Sequence, residues 1–220
     1  KESTRHMRLF VSGSAPLLPE TFNEFRERTG QTLLERYGMT EGGMFTSNPL
    51  EGERRGGTVG FPLPGTEVRV VGEGDVPQPV GGSGHIQVRG DNVFAGYWGL
   101  PEKTREEFTA DGFFRTGDMG RFDSEGYLAI IGRDKDLIIT GGLNVYPKEI
   151  EEAIDTLPGV AESAVIGLPH PDFGEAVTAV VVRGRDASGL TAEGIIAALK
   201  GNIAGFKVPK RVWFADELPR

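Results

Sequence analysis

The sequence predicts two domains of mixed α and β structure. The first is an α/β part over residues 1–133, built from a βαβ unit and a small β subdomain; the second is a small α+β domain over residues 134–220. Three observations carry this. Residues 7–11, Met7-Arg8-Leu9-Phe10-Val11, are mostly apolar and are followed by the small-residue turn Ser12-Gly13-Ser14-Ala15-Pro16, a segment of helical period and a second apolar run at Leu33-Leu34. From Gly57 to Val88 the helical period gives way to short alternating runs between Gly/Pro turns. Past the charged link Arg133-Asp134-Lys135-Asp136, a helical stripe returns at residues 147–157.

In chain order, residues 7–11 read as a buried strand. Residues 19–29 read as a helix with Phe22 and Phe25 on one face and Gly30 as its stop. The next strand starts at Leu33-Leu34 and ends in Tyr37-Gly38. In such a unit, ligands collect beyond the carboxyl ends of the strands, which puts the 12–16 turn and the 36–41 loop on the same rim. Residues 67–71 and 85–89 are strands, 101–109 a short helix and 122–128 a hairpin that returns the chain to Gly132-Arg133. Between residues 130 and 142, two aliphatic runs flank the four charges as two buried strands. The link between them reads either as a hinge that absorbs backbone rotation or as a hairpin with a solvated turn. Beyond it, Ile150, Ala153, Ile154 and Leu157 share one helical stripe. Residues 160–168 and 176–182 are strands, 191–203 a helix capped by Thr191, and 211–214 a last strand, a βαββαβ order. His170 and Glu175 fall in the loop joining two of these strands and read as structural.

Composition narrows the function classes. With 24 basic against 32 acidic residues and a net charge of −8, the chain lacks the basic surface of a nucleic-acid binder. No apolar run reaches membrane-span length, and no stretch near the start resembles a signal peptide. The absence of cysteine excludes disulfides, thiol catalysis and cysteine metal sites, and fits a reducing cytoplasm.

Four segments carry chemistry: Arg36-Tyr37-Gly38-Met39-Thr40-Glu41; Phe114-Arg115-Thr116-Gly117-Asp118; Gly132-Arg133-Asp134-Lys135; and Thr140-Gly141-Gly142 running into Asn144-Val145-Tyr146-Pro147-Lys148-Glu149. In this order and spacing they resemble the core motifs of the acyl-adenylate-forming superfamily, which includes acyl-CoA synthetases, luciferases and peptide-synthetase adenylation domains. Residues 36–49 together with Arg54-Arg55-Gly56-Gly57-Thr58-Val59-Gly60-Phe61-Pro62-Leu63-Pro64-Gly65 look most like malonyl-CoA synthetases.

The resemblance implies the end of a large nucleotide-binding domain followed by a mobile lid, and ATP, Mg2+ and CoA as reactants alongside malonate or a close analogue. It assigns Ser14, Ala15 and Pro16 with Arg36, Tyr37, Gly38 and Met39 to the adenine side of the nucleotide site and Thr40 to the phosphates; Arg36 with Ser14 could also meet the acid's second carboxylate by a charge-assisted contact. Glu41 organises magnesium, Asp118 and Arg133 face the ribose, Lys135 is the hinge, and Gly141 and Gly142 line the CoA tunnel. Small residues and an aromatic face suit a flat ring, and a hard cation takes oxygen ligands. Without the resemblance, the Gly-Ser turn is plain turn chemistry, Asp118 a turn aspartate, Thr40-Glu41 a surface pair and Arg36 a strand-end charge. The superfamily's phosphate loop would precede residue 1, and its acyl-phosphate lysine would follow Arg220. The expectation is therefore that these 220 residues alone do not form acyl-CoA. Three functions fit: an acid–CoA ligase, an adenylation domain loading a carrier protein, and a non-catalytic nucleotide-binding module.

Overall fold

The computed structural model describes residues 2–15 and 17–219. The chain divides into two compact units, Lys1–Ile131 and Gly132–Arg220. No helix among the described residues is long and apolar enough to cross a membrane.

The first unit opens with strand β1 (Val11–Ser12), helix α1 (Pro19–Thr29) and strand β2 (Leu34–Met39). β1 and β2 pair in parallel, as the βαβ reading requires. Pro19 starts α1 where its missing amide is harmless, Phe22 is the buried anchor, and Gly30 ends the helix in a left-handed conformation with its amide on the Arg26 carbonyl. β3 (Gly43–Ser47) and β4 (Phe61–Pro62) continue this sheet antiparallel, in the order β1-β2-β3-β4.

A second sheet runs β5-β6-β7-β8, from β5 (Thr66–Val71), β6 (Gly84–Gly90), β7 (Phe114–Phe122) and β8 (Leu128–Arg133), with helix α2 (Pro101–Glu107) inserted before β7. Phe45, Val59, Val70, Ile86, Val88, Phe114 and Leu128 form one apolar core joining residues of both sheets. Polar side chains fasten the rim. The Asn48 amide donates to the carbonyls of Glu35 and Thr58 at 3.2 and 2.7 Å, and the Arg54 guanidinium to those of Pro49, Thr32 and Leu50 at 3.0, 2.8 and 2.7 Å.

The second unit is a sheet ordered β10-β9-β12-β11, with β13 on β12: β9 (Ile138–Thr140), β10 (Leu143–Val145), helix α3 (Pro147–Asp155), β11 (Val160–His170), β12 (Gly174–Arg183), helix α4 (Ala192–Leu199) and β13 (Arg211–Ala215). Ile150 and Ile154 of α3 and Leu199 of α4 pack with Val165, Val177 and Val181 of the sheet. The Thr191 hydroxyl caps α4 by accepting from the Gly194 amide.

Four expectations are corrected. Residues 7–11 are not a buried strand: only Val11 and Ser12 pair, and Met7 and Val11 are each 43% exposed. Before that pairing, the Gln31 side-chain amide donates to the Thr4 and Met7 carbonyls, each at 3.1 Å. The hairpin reading of residues 130–142 fails, because β8 and β9 belong to different sheets and the charges form a 3-10 turn, Asp134–Asp136. The two runs around that turn are also less buried than expected, with Ile139 50% exposed. Finally, the second unit is ββαββαβ, since a further strand, β10, precedes α3; α2 and α4 also stop short, at Glu107 and Leu199.

Candidate functional site

On the rim of the first unit, the 12–15 turn stands beside β2. A Cβ built on Gly13 would lie 3.4 Å from the Arg36 carbonyl oxygen and 3.6 Å from Arg36 Cγ. Ser14 sits at φ 69°, a conformation non-glycine residues seldom adopt, and Ser14, Ala15 and Arg36 are exposed. Pro16 lies outside the described residues.

Tyr37 and Asp118 form the centre. The Tyr37 hydroxyl donates to Asp118 Oδ2 at 2.6 Å, and the Tyr37 ring meets Phe45 edge-on at 5.7 Å. Asp118 is 7% exposed. Its amide donates to Thr116 Oγ1 at 3.1 Å, and that hydroxyl donates to the Ile86 carbonyl at 2.9 Å.

Both partners sit where strand register breaks. β2 slips against β3 between Tyr37 and Gly38, and β7 carries Arg115 opposite Gln87 but Met119 opposite His85, so Thr116-Gly117-Asp118 bulges. Bulges re-aim side chains and gather beside active sites. At Gly38 the two strands come so close that a Cβ would overlap the Gly43 carbonyl.

Met39 ends β2, and Thr40 and Glu41 form the turn into β3, closed by the Gly42 amide on the Met39 carbonyl at 3.1 Å. Thr40 is exposed and Glu41 half-buried. One loop grips this turn: the Asn92 amide donates to the Gly42 carbonyl at 2.8 Å, the Phe94 amide to the Glu41 carbonyl at 2.7 Å, and the Tyr97 hydroxyl to Glu41 Oε1 at 3.0 Å. Burial and the neighbouring Glu41 carboxylate push the Tyr97 hydroxyl up to about 12.

No group of three or more metal-ligating side chains exists among the described residues. That fits Mg2+, which is held by one or two carboxylates plus substrate phosphates and not by an all-protein cage. Glu41 offers a carboxylate with one oxygen fixed by Tyr97, and among the described residues nothing is bonded to the other. Asn92 and Tyr97 were invisible in the sequence because they act on Gly42 and Glu41 from 50 and 56 residues away, with no motif linking them.

In the second unit, Arg133 is the exposed last residue of β8 and Lys135 the exposed middle of the 3-10 turn, which closes with the Leu137 amide on the Asp134 carbonyl at 3.1 Å. Gly141 and Gly142, at φ 57° and 77°, are the two central residues of a hairpin whose strands pair Thr140 with Leu143. Two positive φ angles in a two-residue loop define a turn that glycine alone adopts without strain. His170 ends β11 and Glu175 lies in β12, not in the loop between them as expected; Glu175 Oε2 accepts from the Ile139 amide at 2.7 Å and the His170 ring stacks on Phe173 at 4.7 Å, both structural contacts.

Residues 1–98 match the family model described as AMP-binding enzyme, and residues 149–220 the model of the AMP-binding enzyme C-terminal domain. The chain is 42% identical over 228 residues to a malonate–CoA ligase of Arabidopsis thaliana, covering 99% of this chain and 37% of that protein. It is 44% identical over 216 residues to a sulfoacetate–CoA ligase of Cupriavidus necator, covering 97% of this chain and 42% of that one. The crystal structure of ATP-bound MatB from Rhodopseudomonas palustris superposes with a TM-score of 0.97 at 57% identity, over 100% of this chain and 44% of that one. The chain therefore spans about two fifths of the length of the relatives it matches.

Proposed function

We propose, since this chain belongs to the AMP-binding, acyl-adenylate-forming enzymes, that it carries the adenine, ribose and magnesium side of an ATP-dependent acid–CoA ligase acting on malonate or a close dicarboxylate. In the first half-reaction a carboxylate oxygen of the acid attacks the α-phosphorus of ATP and pyrophosphate leaves. In the second the CoA sulfur attacks the acyl carbon and AMP leaves.

The observation that supports this most is the 2.6 Å bond from Tyr37 to Asp118, which ties the residue matched to adenine to the residue matched to ribose. Tyr37 offers a ring face to the base. Asp118, which accepts the Tyr37 hydrogen bond, is the carboxylate for the ribose hydroxyls. Thr40 donates to a phosphate oxygen, and Glu41 holds Mg2+, which offsets the triphosphate charge when bound. Arg36, beside the 12–15 turn, supplies with Ser14 a charge-assisted contact to the acid's second carboxylate. Sulfoacetate, named for one relative, also bears a second anionic group, in keeping with that role.

Acid-dependent ATP–pyrophosphate exchange by the full-length protein tests this. Malonate is expected to far outpace acetate and long-chain acids, and Arg36→Ala to erase that preference. Robust exchange on acetate or long-chain acids with malonate inert overturns the choice of acid; no exchange with any acid overturns the ligase reading.

A further inference from the structure

We propose that Tyr97 is the positioning residue for Glu41: its hydroxyl fixes one carboxylate oxygen so that the other faces the divalent cation. This rests on the reading of Glu41 as the magnesium-organising carboxylate.

A half-buried glutamate in a turn still samples several rotamers, and holding it in one geometry removes that freedom before the cation arrives. Here the turn is gripped at three heights by one loop. Asn92 takes the Gly42 carbonyl, Phe94 the Glu41 carbonyl and Tyr97 the Glu41 side chain. Tyr97 is itself fixed: its amide donates to Thr104 Oγ1 at 2.9 Å, Phe94 meets its ring edge-on at 4.8 Å and Lys103 Nζ lies 5.4 Å from the ring centroid. The two backbone bonds already hold the loop on the turn, so a purely structural tie did not require the third bond to land on the carboxylate. The donor on Oε1 leaves Oε2 for an ion that keeps most of its shell for phosphate and water.

The experiment is Tyr97→Phe in the full-length protein, which keeps the ring and its packing and removes only the hydroxyl. The readout is the Mg2+ concentration giving half-maximal ATP–pyrophosphate exchange, with the melting temperature and the KM for CoA measured on the same preparation. The expected result is about a tenfold rise in the Mg2+ requirement, the loss of one hydrogen bond to a charged group, recovered by added Mg2+ and with the KM for CoA unchanged. In a Glu41→Gln background, Tyr97→Phe is expected to add no further change. A lowered melting temperature with an unaltered Mg2+ requirement overturns the inference and leaves Tyr97 a structural residue. An unaltered Mg2+ requirement in Glu41→Gln overturns the underlying reading of Glu41. A raised requirement in Glu41→Gln but not in Tyr97→Phe overturns the positioning role alone.

Discussion

The Tyr37 hydroxyl and the Asp118 carboxylate, 81 residues apart in sequence, meet at 2.6 Å across two strand bulges, one in each sheet of the first unit. A ring and a carboxylate fixed to each other do not have to be ordered separately when a nucleoside binds.

If Asp118 and Arg133 hold the ribose, Asp118→Ala and Arg133→Ala each remove a charge-assisted hydrogen bond worth about 1.5–3 kcal/mol. ATP use is then expected to fall roughly ten- to a hundredfold in both half-reactions. Tyr37→Phe, which removes one hydrogen bond to that carboxylate, is expected to lie between wild type and Asp118→Ala. Unchanged pyrophosphate exchange in both alanine variants shows the ribose assignment to be wrong.

Lys135→Pro tests the hinge. Lys135 lies in the first turn of the 3-10 segment Asp134–Asp136, where a missing amide breaks no intrahelical bond and proline's fixed φ suits the turn. Proline is therefore expected to lock this turn, sparing adenylation and depressing thioester formation. Measuring both half-reactions on one preparation decides it, and parallel changes in the two rates remove the hinge.

Ile154 is fully buried between α3 and the sheet of the second unit. Ile154→Ala is expected to destabilise that unit by about 2–5 kcal/mol through lost burial and the cavity left behind. Denaturant unfolding checks this, and a loss below about 1 kcal/mol would mean that the site collapses freely around the smaller side chain.

Asp75 gives a pH signature. The Arg115 guanidinium, bonded to it at 2.6 and 2.7 Å, and then the Gln87 amide lower its carboxyl from 3.8 to about 2. Because the folded value is the lower one, the stabilisation is complete above 3.8 and is lost as pH falls through that value toward about 2. Carboxyl NMR should show a midpoint near 2, and Asp75→Asn should flatten this part of the acid-unfolding curve. A midpoint at the ordinary aspartate value would mean that the ion pair is absent in solution.

Much of the architecture was legible in local chemistry. Pro19, Phe22 and Gly30 specify α1 by themselves, and Thr191 announces α4 by its cap. The segments at residues 36–41, 114–118 and 132–135 were legible as a spaced set. Their mutual geometry was not. The bulge at Thr116-Gly117-Asp118 follows from which β6 residues it faces, and the donor on Glu41 comes from a distant loop. The β9–β10 hairpin escaped because strands of three residues are too short to show a period, although Gly141-Gly142 is a strong hairpin turn. Residues 7–11 misled because a mostly apolar run does not reveal whether a neighbouring strand exists to cover it.

β13 runs parallel to β12, with Val212 beside Ala179 and Phe214 beside Val181, so the two can be joined only by a crossover, here through α4. On a ribosome, β11 and β12 can zip together as soon as Arg183 clears the exit tunnel. Ala215 arrives after a further stretch of synthesis lasting about two to six seconds. Throughout that interval the Thr178–Val182 stretch of β12 lacks the strand that will pair with it on that side, and the apolar sides of Val181, Ile195 and Leu199 await Val212. Each round of translation thus opens a brief window in which this sheet is a substrate for chaperones and a template for the wrong strand.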